Sequence, residues 1–170
     1  QHKLLHKGIL IRGGISSGKL FVDEPNNVIV GTGLINAYKL EGQAIFPRII
    51  IDRNLVKEFY GNSKKCEVKL NNHIRFNPPE PYQYDFPYLD YCQSISLFDF
   101  QVHKFDSIVE IIKKNFYKNE HITKYQWLRS NLINSCNKSL NGLIIIEEKT
   151  KNIKRKIRLL TDFIEKLNEL

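Results

Sequence analysis

The residues able to handle a phosphate group occur near the N-terminus, in three segments that follow one another closely. They are RGGISSGKLFVDE from residue 12, VIVGTGLINAYKLE from residue 28 and AIFPRIIID from residue 44. A strand, a glycine and a helix that carries a cation can hold a triphosphate against a sheet, because free amides at the helix N-terminus face the anion. Lys39 would then place its charge where phosphoryl oxygens develop negative charge.

A second phosphate-binding pattern, the G-x-x-x-x-G-K loop, is matched only in part. Gly13, Gly18 and Lys19 satisfy it, but Leu20 stands where Ser or Thr would hold Mg²⁺. Leu20 and the residues after it continue a strand instead of opening a helix. We therefore expect these glycines to serve a bulge in the strand or a close backbone contact.

Other catalytic constellations lack support in the sequence. The histidines form no zinc-binding pattern, and no serine lies in a G-x-S-x-G turn. The acidic residues of the three segments are Asp23, Glu24, Glu41 and Asp52. Their spacing alone brings no two of them together on a metal ion.

The cysteines and the absence of a long apolar run bear on the compartment. Cys66, Cys92 and Cys136 are odd in number, far apart and without a CxxC pair, so we interpret them as reduced thiols. No run of about 18 apolar residues occurs, which excludes a membrane-spanning helix by sequence. The expected location is the cytoplasm, with no membrane partner.

Apolar periodicity predicts an α/β fold on the N-terminal side of this chain of 170 residues. A short helix ends at His6, and a strand then runs from Gly8 to Asp23, bulged at the Gly13–Gly14 pair. A turn at residues 24–27 leads into a second strand, and a helix follows Gly33 and ends near Gly42. A buried strand at 46–52, a helix at 54–60 and a strand at 88–95 complete this side.

Beyond residue 100 the pattern becomes helical. Apolar residues recur at steps of three and four over 102–116, over 122–136 and over the last twenty positions. The segment GLIIIEE at 142–148 suits either a strand or the start of the last helix, and both interpretations stay open. We predict an α/β domain at 1–100 and an all-helical region at 101–170 packed on it.

The charge of the chain is uneven. The formal net charge is +8, and residues 101–170 contain 14 basic and 8 acidic residues. The basic run at 149–158 is typical of the solvated outer face of a packed helix, with an anion-binding or partner surface as the alternative. The tyrosines at 82, 84, 88 and 91 could stack on bases, but such alternation is more typical of a core. We therefore do not expect a nucleic-acid partner.

The order of the three N-terminal segments resembles the class III nucleotidyl cyclases, which have an R-x-G-I-x-x-G strand, a G-x-x-x-N-x-A-x-x-R helix and a further strand. RGGISSGKLFVDE, GTGLINAYKLE and FPRIIID are more closely similar to the bacterial pyrimidine cyclases of Pycsar anti-phage defence. YLDYCQ and KYQWL are also similar to the tail of that family. The likeness is dense over residues 8–52 and patchy afterwards. It implies a partial cyclase-like (ferredoxin-like) sheet with packed helices.

The resemblance also implies roles for individual residues. Gly31 would form the turn before the helix. Lys39 occupies the position where cyclases have the Arg that stabilises the pentavalent phosphorane, although Lys lacks the forked guanidinium of Arg. Ile35 occupies the position where many cyclases have the Asn that orients the ribose, and Asn36 is one residue away. Val28 occupies the position where a polar residue that selects the base is often found. The signature of the helix would be Ala37, Tyr38, Leu40 and Glu41.

The remaining implications concern the metal and the subunits. Arg12 and Arg48 would support the site or the subunit interface, and a surface ion pair is an equally compatible role for each. Mn²⁺ or Mg²⁺ would be held by two aspartates on strands preceding RGGIS, so the metal ligands are expected outside this chain. The chain begins with Gln1 and has no Met, and we interpret it as part of a longer protein. Sites would close between the subunits of a homodimer, so the chain alone is expected to be inactive.

The implied activity is conversion of UTP or CTP to a 3′,5′-cyclic mononucleotide and diphosphate, as a signal of phage infection. One alternative is a cyclase-like module that has lost catalysis and senses a nucleotide or a protein partner. Another is an RNA-binding protein that uses the basic tail, which would show a steep salt dependence of binding.

Overall fold

A computed structural model of the chain describes residues 1–60, 74–75, 86–93, 102–116, 121–146 and 150–170. These residues form a mixed α/β structure with a helical C-terminal region, which confirms the predicted fold class. The chain divides into two compact units. We call Ile11–Asp90 the sheet unit, and Gln1–Leu10 together with Tyr91–Leu170 the helical unit. The predicted boundary at residue 100 lies outside the described residues.

The secondary structure consists of short strands and helices of very different lengths. In chain order the elements are α1 (His2–Leu5), β1 (Gly13–Ile15), β2 (Phe21–Asp23), β3 (Val28–Val30), α2 (Thr32–Gln43), β4 (Ile49–Ile51), α3 (Arg53–Tyr60), β5 (Ile74–Arg75), β6 (Tyr88–Leu89), α4 (Val102–Phe116), α5 (Ile122–Ile144) and α6 (Lys151–Asn168). The predicted helices after Gly33 and over 54–60 correspond to α2 and α3. Residues 61–85 lie outside the described residues, apart from β5.

Two sheets make up the sheet unit. The larger has the strand order β1-β4-β6-β5 among the described residues, and β2 pairs only with β3 in an antiparallel hairpin. β1 and β4 run parallel, with Gly13 opposite Ile49 and Ile15 opposite Ile51. This register is continuous, so the predicted bulge at Gly13–Gly14 is wrong. A parallel pair needs a crossover connection, and α2 provides it by packing on β1.

The prediction of one continuous strand from Gly8 to Asp23 is wrong, because this segment contains two separate strands. β1 ends at Ile15 and β2 begins at Phe21, because the chain turns between them at Gly18, which has a φ of +155°. The predicted turn at 24–27 is confirmed, and Asn27 adopts the left-handed region there, with a φ of 53°. The predicted strand at 88–95 is shorter than expected. β6 ends at Leu89, residues 91–93 are helical, and the rest lies outside the described residues.

The helical unit buries the apolar faces that the periodicity predicts. In α4 the buried residues are Phe105, Ile108, Val109 and Ile112, and in α6 they are Leu159, Leu160, Phe163 and Leu167. The rings of Phe105 and Phe163 stack with their centres 4.5 Å apart. Ile153, Ile157 and Ile164 of α6, predicted as inward, are only half-buried.

Helix α5 is longer than predicted and runs antiparallel to α6. It continues to Ile144, well beyond the predicted end at Cys136, so residues 142–144 belong neither to a strand nor to the last helix. Arg129, near the start of α5, donates from Nε to the carbonyl oxygen of Leu167 (2.5 Å), near the end of α6. The end of α5 and the start of α6 therefore lie at the same end of this helix pair.

Candidate functional site

The start of α2 is held by the loop that joins β1 to β2. The amide of Lys19 donates to the hydroxyl of Thr32 (3.1 Å), and the amide of Gly33 donates to the carbonyl oxygen of Lys19 (3.1 Å). One first-turn amide of the helix is therefore already bonded to protein backbone. The loop continues into β2 and not into a helix, so the G-x-x-x-x-G-K pattern does not form a phosphate loop, as predicted.

Glycines make this backbone contact possible. A β-carbon on Gly18 would lie 2.5 Å from the amide nitrogen of Gly33, and one on Gly31 would lie 2.2 Å from the carbonyl oxygen of Lys19. Gly31 also has a φ of +147°, a backbone conformation that residues other than glycine rarely adopt. The structure thus places Gly31 at the turn immediately before α2, which is where the sequence analysis expects a glycine turn.

Helix α2 has one face on the sheet and one face in solvent. The backbone of Ala37 and the side chain of Leu40 lie against Gly14 of β1. Ile35, Asn36 and Lys39 are exposed, and their spacing of three and four residues places them on the same side of the helix. We call these three residues the outer face of α2. The structure brings three of the candidate residues together in one accessible row.

Val28 lies in β3, the element that precedes α2. It is exposed, and it pairs with Asp23 across the hairpin. Gly31 connects β3 directly to α2, and β3 contacts the helix. Val28 therefore lies in the strand that precedes Gly31 and contacts α2.

Arg12 links two of the motif-bearing segments. Its Nε donates to Oε1 of Glu41, so the residue preceding β1 forms an ion pair with the end of α2. The two side chains are 47% and 29% exposed, and water screens the attraction between them. Arg12 occupies a surface ion pair within the sheet unit, one of the roles considered for it.

Arg48 is completely buried beside two aromatic rings. Its guanidinium carbon lies 5.2 Å from the ring centre of Tyr88 and 5.8 Å from that of Phe46. A cation over an aromatic ring is stabilised by the negative face of the ring. A surface position for Arg48 is therefore wrong, because β6 brings Tyr88 over the residue that precedes β4. Its backbone also supports the sheet, since its carbonyl oxygen accepts from the Gly13 amide (3.2 Å).

Three carboxylates of the sheet unit, those of Asp23, Glu41 and Asp52, are engaged in local contacts. Asp52 caps α3 by accepting from the amide of Asn54 (2.8 Å), and its second oxygen accepts from the Ser16 hydroxyl (3.3 Å). Glu41 pairs with Arg12. Within the described ranges no three His, Cys, Asp or Glu side chains gather as a metal site. These donors do not fit a two-metal centre.

Sequence analysis missed an exposed apolar surface on the sheet unit. We call it the hairpin surface, and its side chains are between 41% and 75% exposed. They are Leu20, Phe21, Val22, Val28, Ile29, Val30, Leu34, Ile35 and Tyr38. The sequence feature that could have indicated this surface is the run of three apolar residues at 28–30. A hairpin with one face in solvent ordinarily alternates apolar and polar residues.

No protein-family model, curated protein or solved structure matches the chain. Among the helices that the structure describes, none has both the length and the apolar character needed to cross a bilayer.

Proposed function

We propose that the chain is part of a nucleotide cyclase that converts UTP or CTP to a 3′,5′-cyclic mononucleotide and diphosphate, as a signal of phage infection. In this reaction the ribose 3′-oxygen attacks the α-phosphorus and diphosphate leaves. One observation carries the proposal. The RGGIS, AYKLE and PRIIID segments form a single β-α-β arrangement, with Lys39 exposed on the outer face of α2.

The sheet holds α2 in one orientation. Close packing on Gly14 fixes the distance between helix and strand, and the Arg12–Glu41 ion pair adds a contact beside it. Because Ala37 and Leu40 take the inner side, Ile35 and Lys39 lie on the side of α2 that faces away from the sheet. A site on the outer face would therefore rest on a rigid element, which positions reacting groups better than a loop does.

Lys39 would supply positive charge to the phosphates. It forms no ion pair with any described residue, so its ammonium is available to an anionic ligand. A cation placed at the phosphoryl oxygens stabilises the charge that builds up as diphosphate leaves. Lys acts as a point charge, so orientation must come from neighbours. Asn36, three residues earlier, has an amide that can bond to a ribose hydroxyl.

The hairpin surface supports the expected homodimer. These side chains lie on both faces of the hairpin, because Phe21, Val28 and Val30 project to one side and Val22 and Ile29 project to the other. β2 and β3 pair only with each other among the described strands, so each also has an open edge. A second copy of the chain would cover one apolar face of the hairpin and an open edge.

The cofactor of the proposed enzyme would be Mn²⁺ or Mg²⁺. When bound, such an ion activates the attacking oxygen and neutralises charge on the phosphates. The described carboxylates do not fit this ion, so its ligands would come from elsewhere in the full-length protein.

Ile35 and Val28 favour a second candidate function. Both are exposed and apolar at positions where a cyclase would place groups that bond the ribose and the base. A module that binds a nucleotide or a protein partner, without catalysing cyclisation, would accept apolar residues there.

A product assay separates the two candidates. The full-length protein is incubated with Mn²⁺ and each of the four ribonucleoside triphosphates, and cyclic mononucleotides are detected by mass spectrometry. The enzyme proposal expects cyclic UMP or cyclic CMP. Binding of a pyrimidine nucleotide with no cyclic product would support the module instead, and neither binding nor product would contradict both.

A further inference from the structure

The first half of α6 carries a row of cations on one exposed side. Lys151, Lys154, Arg155 and Arg158 are spaced at three and four residues, which places them on the same side of the helix. All four are exposed, and none forms an ion pair with a described residue. We call these four residues the cationic row. No acidic residue lies between positions 150 and 161 to offset it.

This arrangement is electrostatically unfavourable for the isolated helix. Like charges three or four residues apart repel each other. Lys151 and Lys154, in the first turn of α6, also oppose the positive end of the helix dipole. The described residues provide no counter-charge, and an anionic surface outside the chain would relieve both effects.

An apolar group lies at the same end of the helix pair. Ile144, Ile145 and Ile146, at the end of α5, are 51%, 79% and 40% exposed. The antiparallel contact of Arg129 with Leu167 brings the end of α5 beside the start of α6. Three aliphatic side chains and four cations therefore share one end of the helical unit.

We propose that this end of the helical unit docks on an anionic lipid bilayer. The isoleucines enter the boundary between headgroups and acyl chains, and the cationic row binds lipid phosphates and carboxylates. A bilayer explains both groups of residues, because it offers an apolar layer beneath an anionic one. Nucleic acid would bind the cations, but its bases reward aromatic stacking and leave exposed aliphatic side chains without a partner.

This attachment is compatible with the chain's lack of a spanning segment. The expectation of no membrane partner followed from the absence of a long apolar run, whereas a helix docked on a surface needs no such run. Residues 150–158 include five basic and no acidic positions, so the local charge favours an anionic leaflet. The inference is independent of the proposed cyclase activity.

Vesicle flotation tests the proposal. The full chain is mixed with vesicles of phosphatidylcholine alone, or with vesicles that also contain phosphatidylglycerol, and the bound fraction is measured. We expect binding to the anionic vesicles only. Reversing three charges of the row with Lys154→Glu, Arg155→Glu and Arg158→Glu should lower the partition coefficient by about 100-fold or more. We expect the fold to be retained, because the three positions are exposed and the Lys154→Glu change would suit the helix dipole.

Controls separate specific docking from general charge. Lys3→Glu, Lys7→Glu and Lys57→Glu change the net charge equally at other exposed positions and should leave binding within a few-fold of wild type. Ile145→Asp should weaken binding, and Ile145→Leu should restore it. Equal loss with the control triple variant, or equal binding to both vesicle types, would overturn the proposal. Binding to an RNA oligonucleotide that needs the cationic row, without vesicle binding, would overturn it in favour of nucleic acid.

Discussion

Gly14 lies directly beneath Ala37 in the sheet unit. A β-carbon on Gly14 would be 2.4 Å from the Ala37 carbonyl oxygen and 2.8 Å from the Glu41 amide nitrogen. Helix α2 therefore rests on strand backbone, with no side chain between them at this point. This contact sets the depth at which α2 sits and so positions its outer face.

Replacement of Gly14 tests that contact. Gly14→Ala forces the helix and strand apart, because the obstructing atoms are backbone and cannot rotate away. We expect the free energy of unfolding to fall by about 1–3 kcal/mol or more. Gly13→Ala is the matched control, since its nearest neighbour would be a side-chain carbon of Ile49 at 3.4 Å, an ordinary contact. Urea unfolding followed by circular dichroism measures both, and equal losses would disprove the special role of Gly14.

The turn before α2 makes a second prediction. Gly31→Ala combines a left-handed φ with a 2.2 Å approach to the Lys19 carbonyl oxygen, so we expect a loss of at least about 1–3 kcal/mol in stability. Gly42, in the same helix, has open space around it, and Gly42→Ala should stabilise by about 0.5–1 kcal/mol. Thermal unfolding of the two variants should therefore shift in opposite directions. A shift in the same direction would contradict the geometry of the turn.

The hairpin surface predicts a change of oligomeric state. Phe21→Glu places a charge in the middle of the surface and should convert the homodimer to a monomer, as measured by light scattering after size-exclusion chromatography. Ile45→Glu changes another exposed apolar residue of the sheet unit, outside the hairpin surface, and should leave the proposed dimer intact. A wild-type protein that is monomeric at all concentrations would refute the dimer.

Burial makes the Cys136 thiol unreactive. It raises the pKa of this thiol from 9.0 to about 12, because the thiolate cannot be solvated inside the helical unit. We expect no alkylation of Cys136 by iodoacetamide at pH 9 in the native state, and rapid alkylation in denaturant. Peptide mass mapping distinguishes this site from Cys92, which is also buried, and from Cys66, which lies outside the described residues.

The same shift predicts a direction for stability against pH. Between pH 9 and pH 12 the unfolded chain loses the thiol proton while the folded chain keeps it. The unfolded state therefore binds fewer protons, and stability falls as the pH rises through this range. Cys136→Ala should remove that part of the alkaline decline.

Local pattern was sufficient to predict the elements that carry the candidate site. The period of three and four residues after Gly33 predicts α2, and it also places Ile35, Asn36 and Lys39 on one side. This side of α2 is exposed because the opposite side packs on β1. Gly14 permits that packing, since it lets the backbone of Ala37 approach the strand closely. The break between β1 and β2 could not be predicted, because it depends on Gly18 meeting Gly33 across the sequence.

Long-range contacts account for the other failures. Arg48 is charged and its neighbours in sequence do not identify it as buried. Its burial requires Tyr88, which β6 brings from a distant part of the chain. The exposure of Val28 and its neighbours could not be predicted either, since an apolar strand is ordinarily interpreted as part of the core.

The steady-state rate of cyclic pyrimidine nucleotide formation by a Lys39 variant tests the central claim most directly. In the full-length protein with Mn²⁺, Lys39→Ala should lower kcat by about 100-fold, since one electrostatic contact to the developing charge is lost. Lys57→Ala removes an exposed cation from α3 of the same unit and should leave kcat within a few-fold of wild type. A Lys39→Ala protein with the same kcat as Lys57→Ala would contradict the assignment of the outer face of α2 as the phosphate site.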